Sequence, residues 1–228
     1  MRGAVASPNI WQHPQVYEVL NRANDPDGGV DAVLRDIRPW DDAVVVDVGC
    51  GTGFHLPGYA ATARTVVGVE PHPGLAATAR RRCAGQKSVW VRRGTAQELP
   101  LPDASVDLVH ARWAYFLGPG CEPGLAEARR VLRHGGTVAV VDVDPEVGDY
   151  GRWFRAAYPA HDPATVDRFW ARQGFTTVRV ATRWTFGSRD DVAAVLAVEF
   201  PPEVVSRAVA ETSGLEFAVG QVVRHRTG

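Results

Sequence analysis

The chain has 228 residues, 45% of them hydrophobic and 22% charged, and a formal net charge of −1. That length suits one α/β domain and is short for two, and the composition is that of a globular rather than a disordered chain. The charge balance argues against a broad nucleic-acid or acidic-membrane surface, since either needs a clear basic excess.

Cys50, Cys83 and Cys121 are odd in number and lack C-x-x-C spacing. They argue against a disulfide scaffold or a zinc site and point to a reducing cytoplasm. Met1–Ile10 has no apolar stretch of signal-peptide length. No apolar run reaches the roughly 18 residues of a membrane span.

In chain order, residues 1–42 read as an N-terminal helical cap, with helical spacing at Val16, Val19 and Leu20 and again at Val30, Val33, Leu34 and Ile37. Residues 43–228 read as the main domain. Ala43–Val48 is a continuously apolar, Val-rich run, the pattern of a buried parallel strand. A helix is expected over Gly53–Ala63, a strand over Thr65–Glu70 and a helix over Pro73–Cys83. Val89–Arg92 and Val106–Ala111 are the third and fourth strands. Leu125, Ala128 and Leu132 mark one helical face, with Gly135 as the expected C-cap. Thr137–Val143 is the fifth strand. Residues 144–172 read as a small helical insertion rich in aromatics: Tyr150, Trp153, Phe154, Tyr158, Phe169 and Trp170. Two later strands, Phe175–Phe186 and Glu216–His225, flank helices over Asp190–Phe200 and Pro202–Thr212. This alternation predicts right-handed crossovers, hence a doubly wound α/β fold: a seven-stranded, mostly parallel sheet with helices on both faces.

In such a sheet ligands bind beyond the carboxyl ends of the strands, where strand order reverses. Asp47-Val48-Gly49-Cys50-Gly51-Thr52-Gly53 ends the first strand there. Alternating glycines leave no Cβ, so backbone can press close to a ligand, and a following helix N-terminus would offer free N–H groups. Glu70 ends the second strand, 19 positions after Gly51, where an acid can accept both hydroxyls of a ribose. Gly94–Pro100 after the third strand can border an adenine edge. Ala111 and Arg112 end the fourth strand at the expected site floor, with Trp113, Tyr115 and Phe116 nearby.

These residues resemble the class I S-adenosylmethionine-dependent methyltransferases. Val45–Gly53 is similar to that family's nucleotide-binding motif, Gly68-Val69-Glu70-Pro71 to its acidic strand-two motif, and Gly94–Val109 to the stretch from the adenine loop to strand four. Arg129–Gly136 resembles its turn into strand five, with His134 where relatives often have Pro. Each motif is degenerate, but four in order and at these spacings are specific. The likeness covers about residues 10–143, and the small-molecule enzymes of ubiquinone and aconitate type look most similar.

The resemblance implies a Rossmann-like fold, S-adenosyl-L-methionine as cofactor, a small-molecule methyl acceptor, and a monomer or homodimer without nucleic-acid or membrane partners. It implies that Asp47 orders the glycine turn and faces the cofactor's amino group. Gly49, Gly51 and Gly53 would let the methionine part and ribose approach, with Cys50 among the cofactor-binding positions of the same turn, and Glu70 would hold the ribose. Pro71, His72, Ala96 and Gln97 would border the adenine. Ala111 and Arg112 would lie by the methionine tail. Tyr17 and Arg22 match a Tyr…Arg pair that some relatives place near the cofactor carboxylate.

A sulfonium needs no metal to make its methyl electrophilic, and no metal-ligand pattern such as H-E-x-x-H is present. No general base is assigned among His13, His55, His110, Tyr115 and His161. The 144–172 aromatics suit either an apolar acceptor pocket or simple packing. Two alternatives remain at this point: a nicotinamide-dependent oxidoreductase, and an inactive cofactor-binding scaffold. Against the first, Phe54 stands where the dinucleotide fingerprint wants its third glycine. Asp47 would also face a pyrophosphate unfavourably.

Overall fold

Residues 7–115 and 118–228 are described by a computed structural model. Three helices lead in: α1 (Pro8–Gln12), α2 (Pro14–Ala23) and α3 (Gly29–Ile37). The central run is β1 (Val44–Val48), α4 (Leu56–Ala60), β2 (Thr65–Val69), α5 (Pro73–Arg82), β3 (Val89–Arg92), β4 (Val106–Arg112), α6 (Glu122–Val131) and β5 (Leu132–Val147). There follow α7 (Gly148–Ala157), α8 (Pro163–Arg172), β6 (Thr176–Thr185), α9 (Arg189–Glu199), α10 (Pro202–Glu211) and β7 (Glu216–Thr227). The 144–172 stretch thus carries α7 and α8.

The seven strands form one sheet in the order β3-β2-β1-β4-β5-β7-β6. All pairings among β1 to β5 are parallel, while β7 runs antiparallel between β5 and β6. The doubly wound, mostly parallel expectation is borne out, and the reversal of strand order falls between β1 and β4.

Side chains of a strand alternate between faces, and the valine runs therefore feed two cores. Val46, Val48, Val67, Val69, Val109 and Val140 pack with α6 and α8. Val45, Val66, Leu108, Ala139 and Val141 pack with α3, α4 and α5 on the other face. A third cluster lies at the C-terminal side, where α2, α7, α9 and α10 close on β6 and β7 around Trp153, Trp184 and Phe217. Trp153, Phe154, Phe169 and Trp170 all sit in these clusters. For them the packing reading of the 144–172 aromatics holds.

Two local expectations are corrected. The helix expected over Gly53–Ala63 is only Leu56–Ala60. Gly49, Gly51 and Gly53 all adopt positive φ, which a right-handed helix cannot contain, so the helix starts after them. Gly135 does not cap α6. That helix ends at Val131, and Leu132 turns extended to pair with Val106. Gly135, at φ +74°, instead lies in β5, near a register shift between Val106 and Leu108, and its N–H donates to the Gly228 carbonyl.

Candidate active site

A cleft of about 350 Å³ opens at the carboxyl ends of β1, β2 and β4. The glycine turn forms one wall. A Cβ on Gly49 would stand 2.8 Å from the Ala114 Cβ, and one on Gly51 2.7 Å from the Ile10 Cδ1. These glycines keep the wall thin as well as permitting the bend. Gly53 serves another purpose: its missing Cβ lets α5 approach, since Ala79 would lie 2.9 Å away.

The amide groups of the turn are largely satisfied within the protein. Gly49 and Cys50 donate to the Val69 carbonyl and Gly53 to that of Cys50. Gly51 donates to Glu70 Oε2 at 2.9 Å. With α4 displaced to Leu56, the turn is not the open N–H cradle that an anion would need.

Glu70 is 3% exposed and lines the cleft. Its Oε1 accepts from the His72 N–H at 2.8 Å. Burial pushes its carboxyl upward, while the His72 and Gly51 amides pull it back. Each oxygen accepts one N–H and retains lone-pair capacity toward the cleft. Pro71, Ala96 and Gln97 line the same end. Gln97 Oε1 and Thr95 Oγ1 are buried without partners, a state that buried polar atoms rarely keep unless something else answers them.

Arg112 and Tyr17 also line the cleft. The Arg112 side chain is 7% exposed and reaches Asp31 Oδ1 at 3.1 Å, while its Nε has no partner. Trp113 follows at φ +52°, a conformation that bulky residues rarely adopt. Its N–H is held by the Val141 carbonyl at 2.8 Å.

Trp113 and Tyr17, edge to face at 6.3 Å, form the wall between the cleft and a second chamber of about 210 Å³. That chamber is completed by Leu20, Asp142, Val143, Tyr150, Trp184 and Glu199. Burial lifts the Asp142 carboxyl to about 6, although Arg224 opposes the shift. Burial also raises Glu199 and Tyr17.

The cleft brings together Gly49, Gly51, Glu70, Pro71, Ala96, Gln97, Arg112 and Tyr17 from the sequence reading. It does not bring the others to its surface. Asp47 points beneath the turn, its Oδ1 3.3 Å from His110 Nδ1, because it shares the Val45 face of β1. Cys50 and Ala111 turn into the cores. His72 caps α5, its Nδ1 accepting from the Leu75 N–H, with Trp11 at 5.0 Å. Arg22 is turned outward, its side chain 62% exposed and paired with Glu18 at 3.8 Å. Phe116 lies outside the described residues.

Among the candidate bases, His110 is buried against Tyr59 of α4 and His55 is the half-buried residue preceding α4, and neither lines the cleft. Burial holds His55 well below its ordinary value, aided by Arg112. Tyr115 lines the cleft, but burial raises its phenol and its OH donates to the Gly124 carbonyl. The cleft's thiol, Cys121, is pushed up to about 12 by burial and stays protonated. Sequence reasoning missed Trp11 and, in the second chamber, Asp142, Trp184 and Glu199. Glu199 and Trp184 carry no motif, and only the fold places them beside Tyr17.

Residues 46–140 match the family described as "Methyltransferase domain". The demethylmenaquinone methyltransferase of Tropheryma whipplei is 34% identical over 99 residues, 43% of this chain and 41% of that protein. The chain spans about a third to a half of the length of the first curated relatives it matches. Among solved structures, the YcgJ protein of Bacillus subtilis superposes with a TM-score of 0.62 at 16% identity, covering 88% of this chain and 98% of that one. A SAM-dependent methyltransferase from Aquifex aeolicus does so at 0.56 and 18% identity, covering 92% and 97%. The family resemblance drawn from the glycine turn onward is borne out over the residues that carry it. Among the described residues, no helix is long and apolar enough to cross a membrane.

Proposed function

We propose that this chain transfers a methyl group from S-adenosylmethionine to a small-molecule acceptor, as the name of its demethylmenaquinone relative suggests. The observation that carries the reading is the Glu70–Gly51 pair: a buried acid at the end of β2 whose carboxylate fixes the thin glycine wall while lining the cleft.

The residues present fit the cofactor. Glu70 has free lone pairs for two ribose hydroxyls. Thr95 and Gln97 offer unpartnered buried oxygens at the adenine end. Arg112 is a cation for the methionine carboxylate, and a charge-assisted contact there is stronger than a neutral one. Asp47 acts from behind, holding His110 and adding negative charge under the turn. The same features disfavour a nicotinamide dinucleotide. Its pyrophosphate would meet two buried acids and a turn whose amides already have partners.

When bound, the cofactor supplies a sulfonium-activated methyl that needs no metal. The chain's own task is to orient the acceptor and keep water out. Holding a nucleophile in line can provide about 7–11 kcal/mol of the barrier. Trp113 and Tyr17 stand between the two cavities, where donor and acceptor would meet.

Thermal shift with S-adenosylmethionine, S-adenosylhomocysteine, NADH and NADPH tests this. The first two alone should stabilise the fold, through ligand linkage. Stabilisation by NADPH alone overturns the reading. Glu70→Ala should weaken S-adenosylhomocysteine binding by about 1–3 kcal/mol, from lost charged hydrogen bonds. Unchanged affinity in calorimetry removes Glu70 from the site.

A further inference from the structure

The second chamber has a composition that the methyl-transfer reading does not by itself explain. Four aromatic rings line it in a connected series. Tyr17 and Trp113 lie 6.3 Å apart, Trp113 and Trp184 6.3 Å, and Tyr150 and Trp184 5.0 Å. Two acids also line it, and they differ in one respect. Asp142 is answered by Arg224, whose Nη1 lies 3.3 Å from Oδ2. Glu199 receives only neutral donors: the Tyr150 hydroxyl at 2.8 Å and Asn9 Nδ2 at 3.2 Å. Among the described residues, no arginine, lysine or histidine forms an ion pair with it.

Its position makes the missing cation more costly. Glu199 is the last residue of α9, and no basic residue stands in that helix's last turn. A helix C-terminus carries partial negative charge and favours cations, not carboxylates. Glu199 is half-buried, and charges withdrawn from water are ordinarily paired. Here a carboxylate is set at the unfavourable end of a helix, inside an aromatic-walled space, without a partner from the chain.

Resting on the methyl-transfer reading, we propose that this chamber receives an organic ammonium: the acceptor carries an amine whose cation meets Glu199 and is faced by the rings of Tyr17, Trp113, Tyr150 and Trp184. Aromatic faces attract ammonium groups through their quadrupoles, most strongly where water is excluded. A single ring with a short amine-bearing arm suits a volume of about 210 Å³. The competing occupant is a neutral carbonyl or hydroxyl compound bound to a protonated Glu199, and it predicts different probe preferences.

The test uses the full chain saturated with S-adenosylhomocysteine, with tryptophan fluorescence as readout at neutral pH. Three probes of similar shape are titrated: phenethylamine, 2-phenylethanol and 3-phenylpropanoate. Phenethylamine should bind on the order of tenfold more tightly than the alcohol, and the carboxylate weakest of the three. Glu199→Gln should bring amine and alcohol to near parity. Equal binding of alcohol and amine, preference for the carboxylate, or no binding of any probe overturns the inference. So does an amine preference that survives Glu199→Gln. Should that variant not fold, the wild-type ranking decides alone. Failure of S-adenosylhomocysteine to bind removes the methyl-transfer reading and this inference with it. Its binding without an amine preference removes only this inference.

Discussion

The cleft over β1 and β2 and the chamber beyond Trp113 share a wall, yet they are built by different means. The cleft is organised around a glycine turn whose backbone forms one wall at neighbouring strand ends, with Glu70 and Gly51 only 19 residues apart. The chamber is made of side chains gathered from α2, the turn after β4, β5, α7, β6 and α9, with Tyr17 and Glu199 near opposite ends of the chain. Backbone sites depend on local conformation, and side-chain sites depend on packing. The two should therefore fail differently when mutated.

The largest effect is expected at Trp184, which is fully buried. It touches Trp113, Tyr150, Phe186 and Phe217 and donates from Nε1 to Asn24 Oδ1 at 3.0 Å. Trp184→Ala should cost about 3–5 kcal/mol in urea unfolding. A loss under about 1 kcal/mol would show that the chamber is not part of the cooperative core. Next is Gly49→Ala, at φ +74° and against Ala114. Strain there should cost roughly 1–3 kcal/mol, together with at least partial loss of S-adenosylhomocysteine affinity by calorimetry. Full retention of both would mean that the wall can shift.

The third effect concerns pH. Burial raises the native Asp142 carboxyl to about 6 against an ordinary value of 3.8. The native state thus holds this proton more tightly than the unfolded chain. Ionisation costs stability above pH 6, and that cost fades as pH falls through 6 toward 4. Between pH 7 and pH 5 the wild type should gain about 1 kcal/mol on Asp142→Asn in denaturant titrations. Parallel pH profiles would refute the shift. The smallest effect is at Gly58, in α4 with open space around it. Gly58→Ala should stabilise by about 0.5–1 kcal/mol. Opposite signs at Gly49 and Gly58 would separate glycines held by geometry from one that is not.

The same contrast explains what could be read in advance. The strands carried continuous valine runs, and the alternating glycines and Glu70 sat at their ends, so the cleft's outline was visible residue by residue. The finer placements were not. Asp47 and Ala111 lie in or beside motif positions, yet strand parity turns them into the protein. The extent of α4 depended on three positive φ angles that a helical pattern does not reveal. Trp11 and Glu199 belong to no motif at all.

By itself, then, the order of residues determined a mostly parallel sheet with a glycine-lined cleft. Periodicity, turn chemistry and an acid at a strand end act over short stretches of chain and need no distant partner. Tertiary packing alone decided which motif residues face the cleft, where Arg22 points, and that a chamber of four aromatic rings and two carboxylates, one of them without an ion pair among the described residues, adjoins it. Contacts between residues as far apart as Tyr17 and Glu199 arise only when the whole sheet has closed, and nothing local in either segment encodes them.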